Sequence, residues 1–290
     1  MRGQIVKALS GFFYVRSDNT LITCTARGKF KAERIVPLVG DYVEYKLLDG
    51  SGGVIEEILP RKNSFIRPAV ANIDCFVFIA SDSLPVTEPF LIDRVSVIAA
   101  RNDCEFILCI NKSDLPHEDR LFPVYSKIGI PVFRTSAVTG EGIEDLKEII
   151  HGKIGVFTGN SGIGKSSILN RLFPDAAAET AEISRKLNRG RHTTRAVQSY
   201  DIGNDTVIID TPGFSSFDVS MIDSIDPDRL DESFVDFSAY IGKCRFNDCR
   251  HINEPDCAVL EAVKSGKIQT SRHSSYIRLY EMLTQERNTY

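Results

Sequence analysis

The sequence predicts a multidomain α/β protein made of three parts in chain order. Short alternating strands fill the first quarter of the chain, and continuous apolar runs alternate with helical patterns through the middle. A cluster of Cys and His residues then interrupts a mostly helical C-terminal region. These patterns predict an N-terminal β-barrel over 1–68, an α/β domain over 69–218 and a helical domain over 219–290.

The composition is that of an ordinary globular protein, with 42% apolar and 26% charged residues. No apolar run approaches the roughly 18 residues that span a bilayer, and the N-terminus lacks the apolar segment of a signal peptide. We therefore expect a soluble, cytoplasmic protein with no membrane partner. The net charge is −4, but residues 1–68 carry +4 and the remainder −8, which weakly indicates nucleic-acid contact by the first domain.

The seven cysteines are scattered through a large chain, and their odd number argues against a disulfide framework. Four of them lie in apolar, strand-like surroundings, where cysteine behaves as a small buried hydrophobe. We predict burial for Cys24, Cys75, Cys104 and Cys109.

Four segments of the first domain predict short strands, at 11–17, 20–26, 41–48 and 52–59, with a turn signal at Gly28 between the second and third. Four or five strands in about 65 residues fit a small closed barrel of the OB type better than a sandwich. An unrelated small β-domain remains the alternative on pattern alone.

Five continuous apolar runs predict buried parallel strands in the middle domain. They cover residues 74–81, 105–111, 130–137, 154–159 and 206–210. Helical patterns lie between them at about 87–101, 142–151 and 165–173. This alternation predicts a doubly wound α/β domain.

The strongest chemical signal matches the phosphate-binding pattern G-x-x-x-x-G-K-[ST] between a predicted strand and a helix. Gly159 and Gly164 allow the backbone to wrap around phosphates with successive N–H groups pointing inward. Lys165 supplies positive charge to the β- and γ-phosphates, and the Ser166 hydroxyl coordinates Mg²⁺. The predicted phosphate site comprises Gly159, Asn160, Ser161, Gly162, Ile163, Gly164, Lys165, Ser166 and Ser167.

An N-K-S-D segment after the second predicted strand of this domain indicates guanine rather than adenine. Asp114 is placed to accept hydrogen bonds from the ring N–H and exocyclic amine, a donor pair that adenine lacks. Asn111 holds the other edge of the base, and the methylenes of Lys112 lie over its face. Ser136 and Ala137 form an S-A element of the kind whose backbone N–H contacts the guanine oxygen. The predicted base site comprises Asn111, Lys112, Ser113, Asp114, Ser136 and Ala137.

A D-T-P-G segment directly after the last predicted strand completes the set. Asp210 would hold Mg²⁺ through water, and the Gly213 N–H would face the γ-phosphate. Upstream, Thr193 or Thr194 is placed to complete Mg²⁺ coordination in a switch loop, with an ordinary solvated loop as the alternative.

The order of these motifs differs from that of a Ras-like chain, in which the phosphate loop comes first. Here the base motifs precede the phosphate loop, and the D-T-P-G segment comes last. The middle domain is therefore predicted to be a circularly permuted Ras-like P-loop GTPase domain. The permutation lets the second switch run directly into the C-terminal region.

The C-terminal region contains C-x₄-C-x-H-x₅-C, formed by Cys244, Cys249, His251 and Cys257. Three thiolates and one imidazole make a full tetrahedral set, which predicts one structural Zn²⁺ rather than a catalytic one. A small helical extension gains much of its fold from such a metal. A cluster of free cysteines in a helical tail is the alternative.

In this order, the motifs resemble the RsgA (YjeQ/YloQ) family of ribosome-biogenesis GTPases. The resemblance covers nearly the whole chain: the barrel, N-K-S-D, G-N-S-G-I-G-K-S-S, G-R-H-T-T, D-T-P-G-F-S-S-F and the Cys/His tail. It implies a cytoplasmic enzyme that hydrolyses GTP to GDP with Mg²⁺ and is stimulated by the small (30S) ribosomal subunit late in assembly. It also implies that the barrel and zinc tail bind rRNA, and we expect a monomer.

Phe214 follows D-T-P-G, where Ras-like enzymes carry the Gln that orients the attacking water. An apolar ring cannot orient water, so unassisted hydrolysis should be slow. The resemblance implies that His192 positions the water, with a solvated loop histidine as the alternative. The predicted catalytic residues are therefore Lys165, His192, Thr193 and Thr194, while His117, His151 and His273 are expected at structural or surface positions.

Two other functions remain open at this point. With Phe214 in place of Gln, the domain could be a nucleotide-gated RNA- or ribosome-binding scaffold with little turnover. The target could also be tRNA, mRNA or a protein, because OB folds bind many polymers. The cations that either contact RNA or only keep the surface soluble are Lys29, Lys31, Arg34, Lys264, Lys267, Arg272 and Arg278.

Overall fold

A computed structural model describes residues 1–18, 20–33, 35–48, 52–66, 68–174, 198–203, 205–210 and 225–287. Several sequence predictions lie outside these residues, namely those for Arg34, His192, Thr193, Thr194, Gly213 and Phe214. The side chain of Lys31 is also outside the description. No helix in the described ranges is long and apolar enough to cross a membrane.

The N-terminal strands form a closed barrel, as predicted, with the order β1-β2-β3-β5-β4. The strands are β1 (Arg2–Leu9), β2 (Phe12–Ser17), β3 (Thr20–Ala26), β4 (Tyr42–Leu47) and β5 (Gly53–Ile58). Antiparallel pairing of β1 with β4 closes the ring, while β3 and β5 run parallel. The turn predicted at Gly28 is a short helix, α1 (Gly28–Ala32).

Strand β1 was not among the four segments that the sequence predicted. Gln4, Ile5 and Val6 are buried in succession, and the register with β2 shifts between Ile5 and Lys7. This irregularity removes the two-residue alternation by which a half-buried strand is recognised.

A sheet among the described residues has the order β10-β9-β8-β11-β13-β12. Its strands are β8 (Cys75–Ala80), β9 (Glu105–Ile110), β10 (Val132–Arg134), β11 (Ile154–Gly159), β12 (Gln198–Gly203) and β13 (Thr206–Asp210). The two short strands that precede it are β6 (Ser64–Phe65) and β7 (Val70–Ala71). Every residue of β8, β11 and β13 is buried, which explains their continuous apolar sequences.

The helices of this region are α2 (Pro89–Arg101), α3 (Phe122–Tyr125), α4 (Ile143–Ile149) and α5 (Lys165–Leu172). Three of them match the predicted helical patterns, and the single-turn α3 was not predicted. Strand β12 was not predicted either, because this antiparallel strand has a polar sequence and lies at the sheet edge.

The C-terminal region is mostly helical, as predicted. It begins with three 3₁₀ turns at Pro227–Arg229, Asp231–Ser233 and Val235–Phe237. Two α-helices follow, α6 (Ala258–Lys264) and α7 (Thr270–Arg287). The buried side chains of this region include Leu230, Phe234, Phe237, Tyr276 and Leu279.

Chain contacts group the described residues into two compact units. The first contains the barrel, β12, β13 and nearly all of β11 and α5. The second contains β9, β10, nearly all of β8, the loop Gly159–Lys165 and the described C-terminal residues 225–287. The base motifs, most of the phosphate loop and the Cys/His cluster therefore belong to one unit.

Candidate nucleotide site and metal centre

The predicted phosphate loop connects the end of β11 to the start of α5, and its glycines are required by geometry. Gly159, Gly162 and Gly164 have φ values of 149°, 76° and 94°, which favour glycine. A Cβ at Gly159 would overlap the carbonyl oxygen of Ile79, and one at Gly164 would overlap Nδ2 of Asn111. The loop therefore lies directly against the end of β8 at Ile79 and against Asn111, which follows β9.

The remaining residues of the loop combine one buried anchor with accessible polar groups. Ile163 is fully buried, whereas Asn160 and Lys165 are half-buried. Ser161, Ser166 and Ser167 are exposed, so a bound phosphate or Mg²⁺ can reach their hydroxyls. Lys165 begins α5 directly after the glycine turn, the arrangement in which helix N–H groups face an anion.

The base motif is joined to the phosphate loop by direct hydrogen bonds. Asn111 is buried, and its Nδ2 donates to the carbonyl oxygen of Ile163 at 2.9 Å. The ammonium of Lys112 donates to the carbonyl oxygens of Gly162 at 2.9 Å and Leu84 at 2.7 Å. The sequence predicted only a packing role for the Lys112 methylenes, so this bridge is an additional finding.

Asp114 is held in place by Ser136, whose hydroxyl donates to Oδ1 of Asp114 at 2.5 Å. The Ser136 oxygen in turn accepts from the backbone N–H groups of Val138 at 3.2 Å and Thr139 at 3.0 Å. Ser136 is fully buried and Asp114 is exposed, so the carboxylate is both fixed and open to a ligand. For Ser136 and Ala137 the sequence predicted only that a backbone N–H contacts the guanine oxygen. Ala137 is half-buried.

Ser113 joins the two base-recognition loops. Its hydroxyl lies 3.0 Å from the carbonyl oxygen of Thr135 and 2.6 Å from Oε2 of Glu141. The backbone N–H of Ser136 also donates to the carbonyl oxygen of Glu141 at 3.1 Å. Glu141 was not among the predicted site residues, because nothing in a short motif indicates a partner 28 positions away in sequence.

Asp210 ends β13 and is buried, with 8% exposure. It pairs with Phe157 of β11, two residues before the phosphate loop begins at Gly159. The carboxyl ends of parallel strands share one edge of a sheet, so Asp210 lies at the edge from which the loop emerges. Its predicted partners Gly213, Thr193 and Thr194 lie outside the described residues, as does His192.

The four cysteines predicted to be buried hydrophobes are buried. Burial raises the pKa of the Cys109 thiol to about 12, although a bond with the Thr135 hydroxyl at 2.9 Å opposes the shift. A thiol that stays protonated is a poor nucleophile. Cys109 is therefore a packing residue beside the base motif.

The Cys/His cluster has the geometry of a tetrahedral metal site. The ligand atoms of Cys244, Cys249, His251 and Cys257 all lie within 4.8 Å of one another. The sulfurs of Cys244 and Cys257 are 3.8 Å apart, and Nδ1 of His251 lies 3.5 Å and 3.3 Å from them. A tetrahedron with Zn–S bonds of 2.3 Å has S–S edges of roughly 3.8 Å, so the donor set fits Zn²⁺.

Surrounding groups orient the imidazole of His251. Its Nε2 lies 3.3 Å from Oδ2 of Asp231, leaving Nδ1 for the metal. Its carbonyl oxygen lies 2.7 Å from Nε2 of His273, and His251 itself has a φ of 58°. Asp231 was not predicted, and the structural position expected for His273 is confirmed by its burial.

The described cations of the C-terminal region fall into two groups. Lys264, Lys267 and Arg278 are exposed, whereas Arg272 is only 1% exposed. The guanidinium of Arg272 lies between the carboxylates of Asp93 and Asp236. Placing Arg272 among the surface cations was therefore wrong, because a helix places its residues on both buried and exposed faces.

Comparison with known families agrees with the order of the motifs. The family model for the RsgA GTPase matches residues 58–220, and that for the RsgA N-terminal domain matches residues 2–55. The chain belongs to the RsgA GTPase family. A relative from Caldanaerobacter subterraneus subsp. tengcongensis, named small ribosomal subunit biogenesis GTPase RsgA, is 42% identical over 100% of this chain and 98% of its own length.

Further members of the RsgA family are similar over almost the whole chain. A relative of the same name from Thermotoga maritima is 40% identical over 97% of both chains. The crystal structure of YjeQ from Thermotoga maritima has a TM-score of 0.82 and 35% identity, covering 98% of each chain. The structure of YloQ, described as a circularly permuted GTPase, has a TM-score of 0.80 and 32% identity, covering 98% of this chain and 95% of that one.

Proposed function

We propose that this protein hydrolyses GTP and acts as a switch in late maturation of the small ribosomal subunit. The observation that carries the proposal is the direct bonding of an N-K-S-D loop to a phosphate loop. The Asn111–Ile163 and Lys112–Gly162 hydrogen bonds join the N-K-S-D segment to the G-N-S-G-I-G-K-S-S segment, which supports guanine binding by the first and phosphate binding by the second. Full-length similarity to relatives named as small-subunit biogenesis GTPases supports the cellular role.

Guanine is selected through Asp114 and Ser136. The carboxylate of Asp114 accepts from the ring N–H and amine of guanine, while the Ser136 hydroxyl fixes its orientation. The Asn111 side chain and the backbone at Ala137 contact the other edge of the base. An adenine nucleotide would not supply the two donors of guanine to the carboxylate, which is costly once the bound base excludes water.

The phosphates lie in the loop Gly159–Ser167, with Lys165 neutralising the β- and γ-phosphate charge. Ser166 would hold Mg²⁺ directly and Asp210 would hold it through water, and the ion would supply positive charge beside the transferring phosphoryl group. Thr193 or Thr194 and Gly213 complete this environment, and His192 orients the attacking water. These roles follow from the motif positions and remain proposals.

The Cys244, Cys249, His251 and Cys257 set holds one structural Zn²⁺. Four protein ligands fill a tetrahedral site, so no position remains for a substrate. The ion supplies no chemistry to hydrolysis and stabilises the C-terminal domain, which has a small core.

The proposed partners are GTP and GDP, the small ribosomal subunit and its rRNA. The proposed location is the cytoplasm, without membrane association, and the proposed state is a monomer. The domain boundaries proposed for these roles are 1–68, 69–218 and 219–290. The exposed Lys29 of the barrel and Lys264 and Lys267 of the tail are candidate RNA contacts.

One observation favours a second candidate function. Phe214 occupies the position of the water-orienting Gln, so GTP could be held with little turnover. The protein would then act as a nucleotide-gated scaffold on RNA or the ribosome.

Turnover of GTP by the full-length protein distinguishes the two functions. We expect a slow basal rate that small ribosomal subunits raise by about 10³-fold or more, the size of effect seen when a partner completes a GTPase site. Large subunits and tRNA serve as controls and should not stimulate. Tight GTP binding with an unchanged rate in every condition would contradict the catalytic proposal and favour the scaffold.

A further inference from the structure

Two carboxylates near the start of the C-terminal region face different partners. We call residues 231–236 the acidic connector. At its first residue, Asp231 lies 3.3 Å from Nε2 of the metal-ligand candidate His251. At its last residue, Asp236 accepts hydrogen bonds from the Arg272 guanidinium at 2.7 Å and 3.3 Å. The connector therefore contacts the metal centre at one end and a buried cation at the other.

The connector is held rigidly by buried aromatic side chains. Phe234 is fully buried, and its ring lies 5.1 Å from that of Phe237 and 5.4 Å from that of Tyr276. Two 3₁₀ turns leave little backbone freedom on either side of Phe234. Because packed interiors transmit displacement rather than absorb it, the two carboxylates cannot move independently.

The far side of Arg272 is bound to helix α2. Its Nη1 donates to Oδ1 of Asp93 at 2.6 Å, and Asp93 is fully buried. The hydroxyl of Tyr125 donates to the same oxygen at 2.7 Å. The guanidinium also lies 4.7 Å from the ring of Phe234. A buried cation between two carboxylates loses much of its stabilisation when either is removed.

We propose that metal binding at the Cys/His cluster is thermodynamically coupled to the Asp93–Arg272–Asp236 network through the acidic connector. Metal loading then determines how firmly the C-terminal region is held on α2. The inference rests on the proposed metal site and goes beyond it, because it gives the ion an effect on a helix that supplies none of its ligands. By linkage, the factor by which bound metal strengthens the network equals the factor by which the intact network strengthens metal binding.

The test measures the affinity of the full-length protein for Zn²⁺ by competition with a chromophoric chelator. Asp93→Asn keeps the side-chain volume and removes the charge that faces Arg272. We expect it to weaken Zn²⁺ binding by about fivefold or more, the lower limit of typical coupling. Asp231→Asn, beside the ligand itself, should weaken binding by about 10- to 100-fold.

The matched control is Glu88→Gln, which removes another ion pair between the start of α2 and the C-terminal helix α7. The Glu88 and Arg278 side chains are 2.7 Å apart but 58% and 54% exposed. Exposed pairs contribute little, so the Zn²⁺ affinity should stay within about twofold of the parent value. A loss equal to that of Asp93→Asn would show a general effect of surface charge and overturn the proposal.

Tyr125→Phe is a milder second variant, because it removes one hydrogen bond to Asp93 and keeps the ring. It should weaken Zn²⁺ binding in the same direction by a smaller factor. Removing Zn²⁺ should also accelerate hydrogen exchange in α2 of the parent protein. The acceleration should be smaller in the Asp93→Asn variant, in which the network is already weakened. Parent-like Zn²⁺ affinity in folded Asp93→Asn and Tyr125→Phe would overturn the coupling, whereas failure of the parent protein to bind Zn²⁺ would overturn the metal site itself.

Discussion

The nucleotide corner (residues 111–114, 136–137 and 159–167) and the tail (residues 225–287, which contain the Cys/His cluster) hold their polar side chains in different ways. In the nucleotide corner, short loops at strand ends are joined by hydrogen bonds to backbone carbonyls, and Asp114 and Ser166 stay exposed. In the tail, the polar side chains of Arg272 and His251 are almost completely buried and face partners within the protein. The exposed polar groups of the nucleotide corner can bind a ligand. The buried, paired polar groups of the tail instead stabilise its fold.

The two regions also differ in what stabilises them. The phosphate loop of the nucleotide corner follows strand β11, which is buried along its whole length. The tail has one small aromatic core around Phe234, Phe237 and Tyr276, and the Cys/His cluster lies next to it. Loss of a metal should therefore affect the tail far more than the rest of the protein.

Metal removal is the largest expected effect. Structural Zn²⁺ sites contribute about 10–16 kcal/mol of apparent binding free energy, which is also folding free energy. Chelation, or Cys257→Ser, should therefore unfold α6 and the preceding residues 244–257, which carry the four candidate ligands. Hydrogen exchange resolved by segment measures this, with the barrel as internal control, because residues such as Ile5 and Val43 form a core without metal ligands. Equal loss of protection in the barrel and tail would contradict the contrast between the regions.

A smaller effect is expected from Gly164→Ala in the phosphate loop. The φ of 94° strains any side chain, and a Cβ would overlap Nδ2 of Asn111. Backbone strain of this kind costs about 1–3 kcal/mol, and displacement of Asn111 breaks its bond to Ile163. GDP binding, measured by calorimetry, should therefore weaken by about tenfold or more.

The matched control is Gly152→Ala, before strand β11. Its φ of 70° imposes similar strain, but a Cβ there would meet nothing within 4 Å. It should lower the melting temperature slightly and leave GDP affinity unchanged. If both variants lost GDP affinity equally, the loss would reflect general strain rather than contact between the phosphate and base loops.

The nucleotide corner was largely predictable because its chemistry lies in short contiguous motifs. The glycines, Lys165 and Asp114 are recognisable in sequence since each is required at a fixed spacing from a strand end. The partners that hold them were not predictable. Glu141 and the Leu84 carbonyl contact the base motif across long sequence separations, which no local pattern encodes.

In the tail, the candidate metal ligands were predictable from the sequence, but the buried ion-pair network was not. Its four candidate metal ligands were identified from spacing and lie together. Arg272 was misassigned because its two carboxylate partners are 179 and 36 residues away in sequence. Strand β12 was missed for a related reason, since an edge strand with one neighbour does not need a continuous apolar sequence.

We propose that Asp114 selects guanine, and the Asp114→Asn variant tests this role. The substitution replaces an acceptor of two guanine donors with a group that also donates, while xanthine carries a carbonyl where guanine has its amine. Nucleotide affinities measured by calorimetry should show GDP binding weakened by about 10- to 150-fold, from a loss of about 1.5–3 kcal/mol, and xanthosine diphosphate binding improved. Unchanged GDP affinity in the variant, or ADP binding as tight as GDP in the parent protein, would contradict the account.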